Sequence, residues 1–185
     1  MLLQLLLLFT GCDQAPLRGQ QPKASGFAGG SLLPASMLYR PYQPADFPML
    51  YAVEKLCFEP PFRFSRAYMR ALVRNPNAAT WIVEENSELA GFAIVEWLPD
   101  EDPRTAYIQT IEVHPAWRCR GIAANLLRHV ENSASAARVS SIWLHVDTEN
   151  AAAVHLYEAH GYARKGREEH YYARTRAAFV YAKRF

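Results

Sequence analysis

Two periodicities alternate along this chain and lay out most of its elements. After Pro44-Ala45-Asp46, apolar residues at Phe47, Leu50, Val53, Leu56 and Cys57 recur at the spacing of a helix with one buried face. The proline-rich turn Glu59-Pro60-Pro61 breaks that helix, and Ser65 is placed to cap a second one that runs to Val73 and stops before Asn75-Pro76. Segments 80–84 and 89–98 are runs of β-branched and aromatic residues joined by Glu85-Asn86-Ser87-Glu88, so they predict a hairpin. An acidic, proline-containing loop over 99–103 leads into an extended apolar segment at 107–113, followed by a helical pattern at 124–130 and a short strand at 141–146. Asn150 is a good N-cap and Gly161 a good stop for a helix between them; strands at 161–167 and 177–183 then flank a polar loop. Helix, helix, hairpin, strand, helix, strand, helix, hairpin predicts an α/β sandwich on one mixed sheet.

Composition narrows the class. With 185 residues, half of them hydrophobic, the chain can bury one substantial core, and one domain is the economical expectation. Net charge is +2 and the basic residues are scattered, so the electrostatic footprint of a nucleic-acid binder is missing. Cys12, Cys57 and Cys119 form no C-x-x-C pair and are odd in number, which predicts reduced thiols rather than a disulfide framework or a zinc site. His114, His129, His155, His160 and His170 show no metal-ligand spacing, and no metal is expected. Residues 1–9 are almost continuously leucine and lead into Thr10-Gly11-Cys12, which resembles a lipoprotein signal, but no Lys or Arg precedes the run and it is too short to span a bilayer. Segment 13–36 is rich in Gly, Pro, Gln, Ser and Ala and reads as disorder or linker. The expected division is an extension over 1–36 and a domain over 37–185 that begins at Met37. That domain is expected to be cytoplasmic and off the membrane, with an exported lipoprotein as the alternative if residues 1–12 are a true signal.

The run Arg118-Cys119-Arg120-Gly121-Ile122-Ala123 sits between the extended segment 107–113 and the helical segment 124–130. A strand, a glycine turn and a helix start point backbone N–H groups and the positive end of a helix dipole at one anion, so a pyrophosphate cradle belongs there. Gly121 leaves room for an oxygen and Ala123 keeps the first helical turn open, although a solvated turn would show the same hexapeptide. After the next strand come Asn150 and Tyr157. With the two motifs in this order, residues 39–183 resemble the GCN5-related N-acetyltransferases (GNAT), and more narrowly the RimI-like enzymes that acetylate ribosomal-protein and other protein N-termini.

The resemblance implies a mixed central sheet with a splayed strand pair and about four flanking helices. It implies acetyl-CoA as acetyl donor, with the pyrophosphate held at Arg118, Cys119, Arg120, Gly121, Ile122, Ala123 and Ala124. Ile111, Glu112 and Val113 would lie along the pantetheine arm, and Asn150 and Tyr157 beside it. Tyr157 would protonate the departing thiolate, a phenol being protonated at neutral pH. Bacterial relatives carry a Glu base in an L-E-V segment where this chain has Leu144-His145-Val146. The eukaryotic NatE-type catalytic subunit is similar in reading L-H-V there and Y-I-x-T on the preceding strand, here Tyr107-Ile108-Gln109-Thr110. On that likeness, Tyr107 and His145 relay the acceptor's proton through a water.

Glu112 is the rival base; strict alternation sets it on the opposite face from Tyr107 unless a bulge intervenes. Phe58, Glu59 and Pro60 between the first helices and Tyr171-Tyr172 near the end stand where relatives clamp a peptide backbone, which points to an N-terminal α-amine transferred through a tetrahedral intermediate. The following Ala173-Arg174-Thr175-Arg176-Ala177 departs from the family's acidic segment, and its arginines fit an acidic peptide or plain solvation. Two other readings remain: a small-molecule amine acetyltransferase and a non-catalytic CoA-binding module.

Overall fold

The computed structural model describes residues 37–98, 104–173 and 176–185. The leader-like run, the linker, the acidic loop 99–103 and Arg174 lie outside the described residues. Seven strands form one sheet in the order β1-β2-β3-β4-β5-β7-β6. They are β1 (Leu38–Pro41), β2 (Ala78–Glu85), β3 (Glu88–Leu98), β4 (Thr105–Val113), β5 (Ser141–Asp147), β6 (Ala163–Ala173) and β7 (Arg176–Arg184). Four α-helices accompany them: α1 (Phe47–Cys57), α2 (Arg66–Leu72), α3 (Ile122–Ala136) and α4 (Ala151–Ala159). Among the described residues no helix is long and apolar enough to cross a membrane.

Two hydrophobic clusters line opposite faces of the sheet. Leu126, Leu127 and Val130 of α3 and Ala153 and Tyr157 of α4 pack with Ala106, Ile108, Ile111 and Val113 of β4. Leu50 and Val53 of α1 and Met69 and Leu72 of α2 pack with Phe92 and Ile94 on the other face. Each such side chain removed from water contributes about 1.5–3 kcal/mol. The caps are those the sequence suggested: Ser65 Oγ accepts from the Tyr68 amide, and Asn150 Oδ1 from that of Ala153.

Three expectations need correction. Strand β1 was not in the predicted order; it is a four-residue edge strand, too short to show a period, joined to the start of α1 where Arg40 donates to both carboxylate oxygens of Asp46 at 2.8 Å. Leu56 is not a core residue but 57% exposed, while Glu54 on the same helix is fully buried. The polar segment after 167 is not a loop: β6 carries Glu168, Glu169 and His170 as strand, with an irregular register between Glu168 and Ala173 and a left-handed backbone (φ 58°) at His170.

The parallel ladder between β4 and β5 lasts only from Thr105 to Tyr107, after which the two strands part. On its other side, β4 pairs with β3 as Val95↔Ile108 and then Ile94↔Thr110, so Gln109 is an inserted residue, a β-bulge. The bulge decides which residues share a face. Ala106 and Ile108 before it and Ile111 and Val113 after it all join the α3 cluster. Tyr107, Thr110 and Glu112 therefore turn together toward α1 and α2. Glu112 is thus on the face of Tyr107, contrary to simple alternation. Gly91 of β3 is where β4 comes closest: a Cβ there would meet the Glu112 carbonyl oxygen at 2.5 Å.

Glu112 sits fully buried against Glu54 and accepts from Thr110 Oγ1 at 3.0 Å. Burial first, and the Glu54 carboxylate beside it second, push Glu112 well above the ordinary carboxylate range, so it holds a proton and shares it with Glu54. Glu54 in turn accepts the Phe64 amide at 2.6 Å, which fixes the turn after α1. A group protonated in the folded state but not in the unfolded one adds stability that is complete below the ordinary glutamate value, about pH 4.3, and is lost as pH climbs through the raised value. Glu112→Gln keeps a donor toward Glu54 and removes that titration. Its melting temperature is expected to hold in alkali better than the parent's, with the two converging near about pH 5; parallel Tm curves across that range would contradict the shared proton.

Candidate functional site

The parting of β4 from β5 opens the sheet at its centre. His114 donates its amide to the Ala90 carbonyl at 2.9 Å, so in this antiparallel ladder Ile111 and Val113 are the positions whose N–H and C=O groups point away from β3, into the gap. The Val113 carbonyl accepts from Arg118 Nε at 3.2 Å and from the Cys57 thiol at 3.5 Å. Arg118 is thereby folded back against α1, and its guanidinium also lies 3.8 Å from Cys57 Sγ. What Arg118 offers an anion is its backbone.

Beyond Val113 the chain makes a short 3-10 turn at Pro115–Trp117 and enters α3 through Gly121, whose φ of 74° is left-handed and whose missing Cβ would face open space. The helix begins at Ile122, so Ile122, Ala123 and Ala124 form its first turn rather than the preceding loop. Their amides are among those a helix start leaves without intrahelical partners. A cavity of about 340 Å³ runs along this turn, lined by Val113, Trp117, Gly121, Ala123, Ala124 and, from α4, His155 among others. The wall from α4, which includes Ala152 and Leu156, was not anticipated; in sequence these residues are only part of a helix face. Arg120 reaches Glu85 at 3.3 Å from the rim. Cys119 is disulfide-bonded, against the expectation of reduced thiols, whereas Cys57 is a buried free thiol.

Among the buried polar atoms without a hydrogen-bond partner in the described residues are the Tyr157 hydroxyl of α4 and Nδ2 of its N-cap Asn150. Orphaned donors of this kind are costly unless a ligand meets them. Burial alone raises the Tyr157 phenol well above its ordinary value, so it is a neutral donor. A helix-start anion cradle, an adjoining cavity and two buried donors fit a long phosphate-bearing molecule with a polar arm. Among the described residues no His, Cys, Asp and Glu cluster could hold a metal ion.

On the opposite face, the Tyr107 hydroxyl lies 3.2 Å from His145 Nδ1 and 3.3 Å from the Tyr171 hydroxyl. The Tyr171 ring stacks on His145 with centroids 4.0 Å apart and planes 9° from parallel. Burial lowers the His145 pKa, partly offset by Glu168, and raises that of Tyr107 well above the phenol range, burial first and Tyr171 second. At neutral pH both are uncharged. Tyr172 is buried in the α1/α2 cluster, and Phe58 turns into the same core instead of standing open. Glu59 is exposed and pairs with Arg63 at 3.1 Å, and Pro60 stands beside it at the surface. Arg176 is not free for an acidic peptide: it pairs with Asp147 at 2.6 Å and lies 5.0 Å over the Phe62 ring, tying β7 to the turn after α1.

Comparison with known proteins places the chain in a family. Over 91 residues the chain is 33% identical to the [ribosomal protein bS18]-alanine N-acetyltransferase of Escherichia coli K12, covering 49% of this chain and 59% of that one. It is 36% identical over 93 residues to streptothricin acetyltransferase of Streptomyces lavendulae, covering 50% and 48%. The chain thus spans about half the length of these curated relatives. In fold it superposes on Arabidopsis thaliana NAA60 in complex with acetyl-CoA with a TM-score of 0.73 at 21% identity, over 81% of this chain and 99% of that one. Residues 47–162, more than half of the sequence, match the model of the acetyltransferase (GNAT) family, and the chain belongs to that family.

Proposed function

We propose that this chain transfers the acetyl group of acetyl-CoA directly to the α-amine of a peptide or protein N-terminus. The observation that carries the reading is the Tyr107–His145–Tyr171 cluster on one face of the strand gap, with the buried Tyr157 hydroxyl on the other. The first-turn amides of α3 and the left-handed Gly121 suit the pyrophosphate, and the outward N–H groups of Ile111 and Val113 suit the pantetheine amides. The donor supplies an activated thioester carbonyl, whose oxygen the Val113 N–H can polarise.

In the transfer a bond forms between the acceptor nitrogen and the acetyl carbon, and the carbon–sulfur bond breaks. The nitrogen's proton passes, through a water, to the pair formed by Tyr107 and His145; the Tyr157 hydroxyl gives its proton to the thiolate. An α-amine, with an ordinary pKa near 8, suits a base as mild as a neutral imidazole, whereas lysine at about 10.4 does not. Glu112 stands behind this pair as a base because its carboxyl already holds a proton against Glu54. Tyr171 and Tyr172 at the end of β6, and the turn carrying Phe58, Glu59 and Pro60, are the proposed walls for the peptide. A small-molecule amine is the second reading, favoured by the likeness to streptothricin acetyltransferase.

A panel of short peptides and free amines with acetyl-CoA, read by thiol release and product mass, separates the two; acetylation confined to peptide N-termini is expected, and turnover of polyamines or antibiotics alone would overturn the α-amine assignment. His145→Ala is expected to lower kcat about 10²-fold with acetyl-CoA affinity nearly intact; parent-like turnover would remove His145 from the reaction. In Tyr157→Phe, kcat should fall at an unchanged KM for the peptide, and a solvent pH profile identical to the parent's with undiminished kcat would show that the phenol gives no proton.

A further inference from the structure

The extension of β6 past residue 167 brings a carboxylate to the back of the candidate base. His145 of β5 is paired with Val180 of β7, Val180 with Gly166 of β6, and Ala178 with Glu168, so these residues share one side of the sheet. Gly166 has no side chain and Ala178 is small and fully buried, which leaves a lane across β7. Glu168 uses it: its Oε1 lies 3.2 Å from His145 Nε2, at ion-pair distance though not aligned as an in-line hydrogen bond. Its neighbour Glu169 is engaged elsewhere, by Arg167 at 3.0 Å. Past Glu168 the left-handed residue His170 breaks the alternation, and so the same strand also lays the Tyr171 ring flat on the imidazole.

The histidine therefore has a different partner on each nitrogen, with Glu168 at Nε2 and the Tyr107 hydroxyl at Nδ1. A carboxylate accepts only, whereas a phenol in a buried site can donate, so this pair of neighbours favours one tautomer. We propose that Glu168 is a positioning residue for the relay: its carboxylate holds His145 with the proton on Nε2 and leaves Nδ1 as the acceptor for the proton that arrives through Tyr107. The proposal rests on the reading of His145 as the base. It concerns a half-exposed glutamate, 52% accessible, at a position to which the resemblance to N-terminal acetyltransferases assigned nothing.

The other titratable groups facing the imidazole are Tyr107 from β4 and Tyr171 from β6, with Tyr68 of α2 behind them; the Glu168 carboxylate raises the His145 titration, against burial, which lowers it. Removing its charge must therefore lower the point at which His145 gains its second proton. In Glu168→Gln the acid limb of kcat/KM is expected to move to lower pH, by roughly half a unit or more, while the plateau falls several-fold. A general loss of structure would depress the plateau without moving the limb in that direction. Glu168→Asp, which keeps the charge on a shorter arm, should restore the limb more than the plateau.

The deciding measurement is independent of turnover. Long-range 1H–15N correlation spectra of the imidazole nitrogens, recorded through a pH titration of the parent and of Glu168→Gln, report tautomer and pKa at His145 directly. The expected result is an Nε2–H tautomer in the parent and, in the variant, mixed tautomers with a lowered titration point. An unchanged tautomer and titration in Glu168→Gln would overturn the proposal even in a fully active enzyme. The expected spectra from a protein that acetylates no peptide would leave the Glu168 contact standing and overturn the acceptor assignment instead.

Discussion

The site depends on one constraint in the central strand. β4 must pair with β3 along its length, yet with β5 only as far as Tyr107, and the inserted Gln109 reconciles the two. A bulge adds a residue on one strand without unpairing the other and increases the local twist. Here it turns Tyr107, Thr110 and Glu112 to one face while Ile108, Ile111 and Val113 keep the other. It also carries β4 away from β5 at the point where a straight ladder would have closed the sheet. Gly91 permits the close approach of β3 that compensates, since any larger residue would meet the β4 backbone.

With the sheet parted, its two faces take different chemistry. The α3/α4 face provides backbone donors, a left-handed glycine and neutral buried hydroxyl and amide donors, which suit the proposed elongated anionic donor. The α1/α2 face provides uncharged but titratable groups in Tyr107 and His145, held by the stacking of Tyr171 on the imidazole. Desolvation acts on both faces in the same sense, keeping tyrosines protonated and the histidine neutral. The proposed transfer needs that combination, because donor and base must both be uncharged before the acceptor enters.

The periodic part of this design was legible in the sequence. Helix spacing gave α1, cap and stop residues gave α2 and α4, β-branched runs gave the hairpin, and the glycine junction marked the start of α3. What escaped was written in breaks of period rather than in period. The bulge at Gln109 has no residue signature, so the face of Glu112 could be left only as a conditional. Glu54 looks like a solvated helix residue until its partner Glu112 on β4 is known, and Leu56 looks like core. Residues 168–170 are polar enough to read as loop, yet they continue β6 as strand, and Glu168 is visible as a neighbour of His145 only after its pairing with Ala178 of β7 is seen.

The central claim is that the parted strands receive the donor along β4 and at the start of α3. Backbone hydrogen exchange measured by mass spectrometry, with and without acetyl-CoA, tests this most directly. The account predicts slowed exchange at Ile111, Val113 and the first turn of α3, with little change in β2 or α2. Protection absent from β4 and α3, or centred on another surface such as the exposed arginines of α2, would contradict it.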